Sequence, residues 1–262
     1  MKIGIFDSGL GGLIIAKAIR EAMPEYDYVY YGDTKRLPYG NKSHDLVLQF
    51  TREAIDYLFR KEDCAIVIVA CNTASAQALR EIQQKYLPEN FGDRKILGVL
   101  IPAAEVASKY ERVGVLATIG TVASNTFPKE IIKLNDKVKV FQNAAPMLVP
   151  LIEEGENSKA EPFILEYLKP LIENNIDALI LGCTHYPIMK EEIKKNIPSN
   201  VKLISQDEIV PGKLKEYLSR HPEISKNLSK NGEVKLLVTD KTQNMDRLVK
   251  KWFGGSVEAQ LL

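Results

Sequence analysis

The chain has 262 residues, 45% apolar and 26% charged, and a formal net charge of +1. That length suits one large or two modest domains with an ample core, and the composition is that of an ordinary soluble globular protein. The near-neutral charge gives no pointer to nucleic acid or to a membrane surface, and no run approaches the roughly 20 apolar residues of a membrane span.

Strand and helix signals alternate from the first residues onward. Lys2–Phe6 reads as a strand too short to be the apolar core of a signal peptide. Gly11-Gly12 then lead into a helical stretch, Leu13–Met23. Tyr28–Gly32 is a second strand, followed by the turn-rich Asp33–Asn41 and a helix running to about Lys61. The apolar run Ala65–Cys71 is a buried strand, with a helix expected over Ala74–Tyr86. Ile96–Leu100 opens a second series, and a second apolar run, Ala178–Cys183, leads into Thr184-His185-Tyr186-Pro187. After Ser205 come a helix, a strand (Val234–Thr239) and a last helix (Met245–Phe253). This tail is too short to build its own core, so it is expected to return to the first half.

Such alternation argues for βαβ units and parallel sheets. The series also repeats. Ile3-Gly4-Ile5-Phe6-Asp7-Ser8 resembles Val113-Gly114-Val115-Leu116-Ala117-Thr118, 110 positions later, and Cys71 precedes Cys183 by 112. The expected architecture is therefore α/β, with two similar parallel-sheet lobes related by pseudo-twofold symmetry and an active site in the cleft between them. The first lobe takes 1–97 plus 208–262 and the second takes 98–207.

Cys71 and Cys183 carry the chemistry in this reading. Each ends a strand just before a helix, where open α/β sheets place ligands and where a thiolate is favoured. Two thiols in matching settings suit an acid/base pair that faces one substrate from opposite sides. Free cysteine has a pKa near 8.5 and is only roughly 3% thiolate at pH 7, so neighbours must tune it. Cys64 reads as a small core hydrophobe. An odd cysteine number with no CxxC excludes a secreted disulfide framework and points to a reducing, cytoplasmic setting. Two cysteines and one histidine lack metal-ligand spacing.

Other segments are weaker signals. Asp7-Ser8-Gly9-Leu10-Gly11-Gly12 lacks both the dinucleotide fingerprint and the P-loop lysine. Asp7 either orients a substrate ammonium, assists Cys71, or simply caps the turn. Tyr39-Gly40 could clamp a carboxylate through backbone amides or form a plain surface turn. Thr118 and Thr121 either offer hydroxyls to the cleft or cap the next helix. Glu153-Glu154 reads locally as a solvated pair, and His185 is the one histidine inside a motif. No lysine stands in a motif that would suit pyridoxal chemistry, so no cofactor is expected.

Asp-Ser-Gly-Leu-Gly-Gly at 7–12, Pro-Tyr-Gly at 38–40, Ala-Cys-Asn-Thr-Ala-Ser at 70–75 and Gly-Cys-Thr-His-Tyr-Pro at 182–187 jointly resemble the glutamate racemases, within the aspartate/glutamate racemase superfamily. The resemblance implies substrate-binding pairs Asp7-Ser8, Tyr39-Gly40, Asn72-Thr73 and Thr184-His185. It implies that Cys71 and Cys183 are the catalytic thiols, with Asp33, Glu153 and His185 assisting. It further implies cofactor-independent interconversion of L- and D-glutamate, with Cys71 acting on D-glutamate and Cys183 on L-glutamate. The product would serve peptidoglycan synthesis, and the enzyme would be a cytoplasmic homodimer. Two rivals stand beside this reading: an aspartate racemase or related isomerase of the same superfamily, and a non-catalytic two-lobe protein that closes on an amino acid.

Overall fold

The computed structural model describes every residue except Gln243 and Ser256. Among the described residues ten strands fall into two separate sheets, all of whose pairings are parallel. The strands are β1 (Lys2–Asp7), β2 (Tyr28–Gly32), β3 (Cys64–Val69), β4 (Lys95–Gly98), β5 (Arg112–Ala117), β6 (Lys139–Ala144), β7 (Ala178–Gly182), β8 (Lys202–Ile204), β9 (Val234–Val238) and β10 (Ala259–Leu261). The first sheet runs β10-β9-β2-β1-β3-β4, and the second runs β6-β5-β7-β8. Four strands of the first sheet, β2-β1-β3-β4, thus have the same order as the whole of the second. That correspondence is the physical content of the sequence repeat: β1 matches β5 at the centre, and β3 matches β7 beside it.

The central strands are apolar throughout because helices cover both faces. In β1, Ile3 and Ile5 face the helices Leu13–Ala22 and Gln206–Arg220, whereas Phe6 faces the helix His44–Arg60. In the second sheet, Leu179 and Leu181 join the same continuous core as Ile3, while Ala178 and Ile180 pack on the helices Leu100–Ala107 and Thr126–Leu134. One hydrophobic cluster therefore runs through both halves.

Several expected boundaries move. The segment from Ile96 does not open the second sheet: β4 pairs with β3, and the chain crosses over only after Gly98. The strand before Cys71 ends at Val69, and the following helix starts at Asn72 rather than Ala74. Cys71 itself is the residue that caps this helix, its sulfur accepting the Ala74 N–H at 3.4 Å. The tail carries one more short strand, β10, than its sequence suggested. β9 lies beside β2 in the first sheet, and the buried Asp27 carboxylate fixes its approach by accepting the N–H groups of Asn231 and Glu233, each at 2.9 Å. Among the described residues no helix is long and apolar enough to cross a membrane.

Candidate active site

Both sheets end their strands at one shared cavity of about 70 Å³, room for a small metabolite rather than a nucleotide. From the first sheet it is lined by Ser8, after β1, by Tyr39 and Gly40, after β2, and by Cys71, Asn72 and Thr73, after β3. From the second it is lined by Thr118, after β5, and by Cys183, Thr184 and His185, after β7. The two thiols therefore reach one space from topologically equivalent strands. Leu37, Ala145, Pro146, Val149 and Pro150, which the sequence did not single out, join Pro38 of the Pro-Tyr-Gly motif in an apolar wall of the cavity.

Four of the expected residues stand behind this lining. Asp7 is fully buried, with Oδ2 accepting the Gly9 N–H at 3.0 Å and Oδ1 accepting the Thr184 hydroxyl at 3.3 Å. Thr121 is buried behind Thr118, and the two hydroxyls lie 3.0 Å apart, with Thr73 completing the triangle at 2.9 and 3.3 Å. Glu153 reaches the far side of His185, Oε1 to Nε2 2.9 Å. Asp33 is also withdrawn from the cavity: it accepts the Tyr39 hydroxyl at 2.6 Å and the Thr239 hydroxyl at 2.9 Å, so it fixes the Tyr39-Gly40 turn.

The two thiols have different electrostatic surroundings. Burial pushes the Cys71 thiol up to about 12, and the nearby Asp7 charge adds to this, against its hydrogen bond with the Ser8 hydroxyl and the one from the Ala74 N–H. Its sulfur donates to the Ser8 hydroxyl at 3.3 Å, an arrangement for a neutral thiol. Cys183 has instead an imidazole beside it, with Nδ1 of His185 3.8 Å from the sulfur. Burial opposes a charge on His185, but hydrogen bonds to Cys183 and Glu153, and their charges, outweigh it and hold the imidazole well above its ordinary pKa. The Trp252 ring meets that imidazole edge-on, with centroids 6.0 Å apart. Asp7 is pushed up by burial, partly offset by His185 and by the backbone N–H groups of Gly12 and Gly9.

Some residues of this shell have no local signature. Tyr30 donates to the Gly9 carbonyl at 2.7 Å and so shapes the turn after β1. Gln206 pairs with Asn72. Thr239 and Trp252 come from the tail. Each is chemically ordinary in sequence and acquires a role only through a partner far along the chain.

Residues 14–208 match the model of the Asp/Glu/Hydantoin racemase family. A glutamate racemase of Sulfurihydrogenibium sp. (strain YO3AOP1) is 36% identical over 99% of this chain and 96% of its own length. The chain belongs to the glutamate racemase family. The crystal structure of glutamate racemase from Francisella tularensis in complex with D-glutamate superposes with a TM-score of 0.90 at 33% identity, covering 100% of this chain and 97% of that one. The aspartate racemase of Picrophilus torridus shares the fold at a TM-score of 0.58 and 21% identity, over 84% of this chain and 95% of that one. This family membership fits a site made of two thiols and short hydroxyl and amide side chains.

Proposed function

We propose that this protein interconverts L- and D-glutamate without a cofactor, using Cys71 and Cys183 as two bases on opposite faces of the substrate α-carbon. The observation that carries the reading is the pair of buried thiols delivered to one small cavity by equivalent strands of two sheets. Inversion at carbon removes a proton from one face and returns one to the other, so a single group cannot reach both.

The unequal surroundings suggest the resting roles. Cys71, held neutral, is ready to donate a proton. The Cys183 sulfur instead faces the His185 imidazole, which is held well above its ordinary pKa and whose other nitrogen is held by Glu153. With L-glutamate bound, Cys183 takes the α-proton and Cys71 returns its own to the opposite face, giving D-glutamate. From D-glutamate the same protons move in reverse. Carbanion character at the α-carbon is offset by hydrogen-bond donors already fixed around the α-carboxylate; Asn72, Thr73 and Thr184 are assigned to that carboxylate. Ser8 and Thr118 complete the wall around the bound amino acid, with Asp7 and Thr121 fixing Thr184 and Thr118 from behind. Because the Tyr39 phenol is engaged with Asp33, the Tyr39-Gly40 turn is assigned to the side-chain carboxylate through its backbone.

Supply of D-glutamate for peptidoglycan, a cytoplasmic location and a homodimer complete the proposal. The three free thiols support a reducing compartment. The deciding experiment is incubation with pure L-glutamate in D2O while optical rotation and α-deuterium are followed. Rotation should decay to zero as deuterium enters the α-position. Retained rotation, or the same decay with aspartate at equal efficiency, would remove the assignment.

A further inference from the structure

Gln206 is the first residue of the helix Gln206–Arg220, immediately after β8 and Ser205. Its side chain is 1% exposed and lies at neither wall nor mouth of the cavity. It nevertheless makes three hydrogen bonds, two of them to Asn72, the residue next to Cys71. Its Oε1 accepts from Asn72 Nδ2 at 2.7 Å, and its Nε2 donates to Asn72 Oδ1 at 2.6 Å and to the Val99 carbonyl at 3.2 Å.

The third bond sets the direction of the other two. A backbone carbonyl can only accept, so the nitrogen of Gln206 must face Val99. Its oxygen is then presented to Asn72, and the Asn72 amide must offer nitrogen to it. The amide orientation of a residue lining the cavity is thus dictated from outside it. The two backbone crossings between the sheets, after β4 at Val99 and after β8 at Gln206, are joined at the same point.

We infer that Gln206 is a positioning residue for the Cys71 half of the site, locking Asn72 in one amide orientation and tying it to both crossings. This rests on the two-thiol reading above. With Gln206 in place, Asn72 keeps one Nδ2 hydrogen and its backbone N–H beyond this pair. Without the lock, the amide is free to turn its acceptor toward a bound carboxylate. The defect then lies on one side of the substrate, at Cys71, and leaves Cys183 and His185 untouched.

Gln206→Glu and Gln206→Met test this, the first replacing the donor nitrogen by an acceptor, the second keeping volume without polarity. L- and D-glutamate are equal in free energy, so kcat/KM must fall equally in both directions, and rate alone cannot locate the defect. Primary isotope effects on kcat/KM with α-deuterated substrates can. Each variant should lose roughly tenfold to a hundredfold in kcat/KM, the scale of a misplacement of about 1 Å. The isotope effect should rise for D-glutamate, deprotonated by Cys71, and fall for L-glutamate. A merely structural role lowers the active fraction and leaves both isotope effects unchanged, and that result overturns the inference. So does loss of the fold in both variants, read by circular dichroism. If the wild-type protein itself fails to racemise glutamate, the functional reading has failed. If it racemises and the variants keep its isotope effects, only the role of Gln206 has failed.

Discussion

Adding a single methyl group at Gly11 should disable the site without touching either thiol. An ideal Cβ at Gly11 would stand 2.5 Å from Nδ1 of His185, 2.6 Å from the Thr184 hydroxyl and 2.7 Å from Cε1 of His185. Ordinary contacts between such atoms are about 3.5 Å, so Thr184-His185 must retreat by about 1 Å. Retreat carries the imidazole away from Cys183 or breaks its 2.9 Å contact with Glu153. Misplacement on that scale costs on the order of a hundredfold, and the overpacking costs about 1–3 kcal/mol of stability. Gly11→Ala should therefore fold with a moderately lower Tm and lose about a hundredfold in kcat/KM for both enantiomers. Gly212→Ala is the control: nothing lies within 4 Å of its Cβ, and a helix interior gains about 0.5–1 kcal/mol from alanine. Racemisation is followed by circular dichroism from each pure enantiomer, with Tm measured alongside. If Gly11→Ala keeps wild-type kcat/KM at a reduced Tm, the close approach of the first turn to His185 is irrelevant to rate and the reasoning fails.

Cys71→Ser and Cys183→Ser should each lower racemisation by at least about a hundredfold, since a hydroxyl is a far weaker base than a tuned thiol. Each variant should still eliminate from a substrate analogue with a leaving group, but from one enantiomer only; a variant racemising normally in both directions shows that its thiol is not a base. Glu153→Gln keeps a hydrogen-bond acceptor for His185 but removes the charge, so the raised pKa of His185 must fall. Because a raised pKa keeps the imidazole protonated until pH passes the folded value, the alkaline limb of kcat/KM should move to lower pH, and equally for both enantiomers. The stability that the charged pair supplies is present below the ordinary pKa of 6.5 and is lost as pH rises through the folded value, hence earlier in the variant. At pH 8 the loss in rate should be on the order of tenfold, the scale of one charge-assisted hydrogen bond discounted for the 26% exposure of Glu153; an unmoved pH profile denies Glu153 this role. Finally, a clamp spaced for glutamate cannot hold both carboxylates of aspartate with its α-carbon between the thiols, so kcat/KM should favour glutamate by about a hundredfold or more. Similar values for the two amino acids, measured by chiral chromatography, would remove the clamp.

The sequence alone pointed to β1–β5, β7 and β9, to parallel sheets and to the two thiols, each through a local or repeated pattern, but not to the short or half-exposed β6, β8 and β10. An apolar run of five or six residues is buried on both faces whatever surrounds it, and a cysteine at its end stands at the strand's carboxyl edge. The repeat placed Cys71 and Cys183 in equivalent positions before any contact was known. Motif resemblance added the polar residues beside them. What the tertiary structure decided is which polar groups meet. Glu153 and His185 are 32 positions apart, Asn72 and Gln206 are 134 apart, and Asp33 and Thr239 are 206 apart. A local reading left Glu153 as a solvated acid and said nothing of Gln206 or Thr239. Burial gives a hydrophobic side chain its place by periodicity alone, but a buried hydrogen bond needs one particular partner at about 3 Å, and only the packing of the two sheets brings that partner within reach.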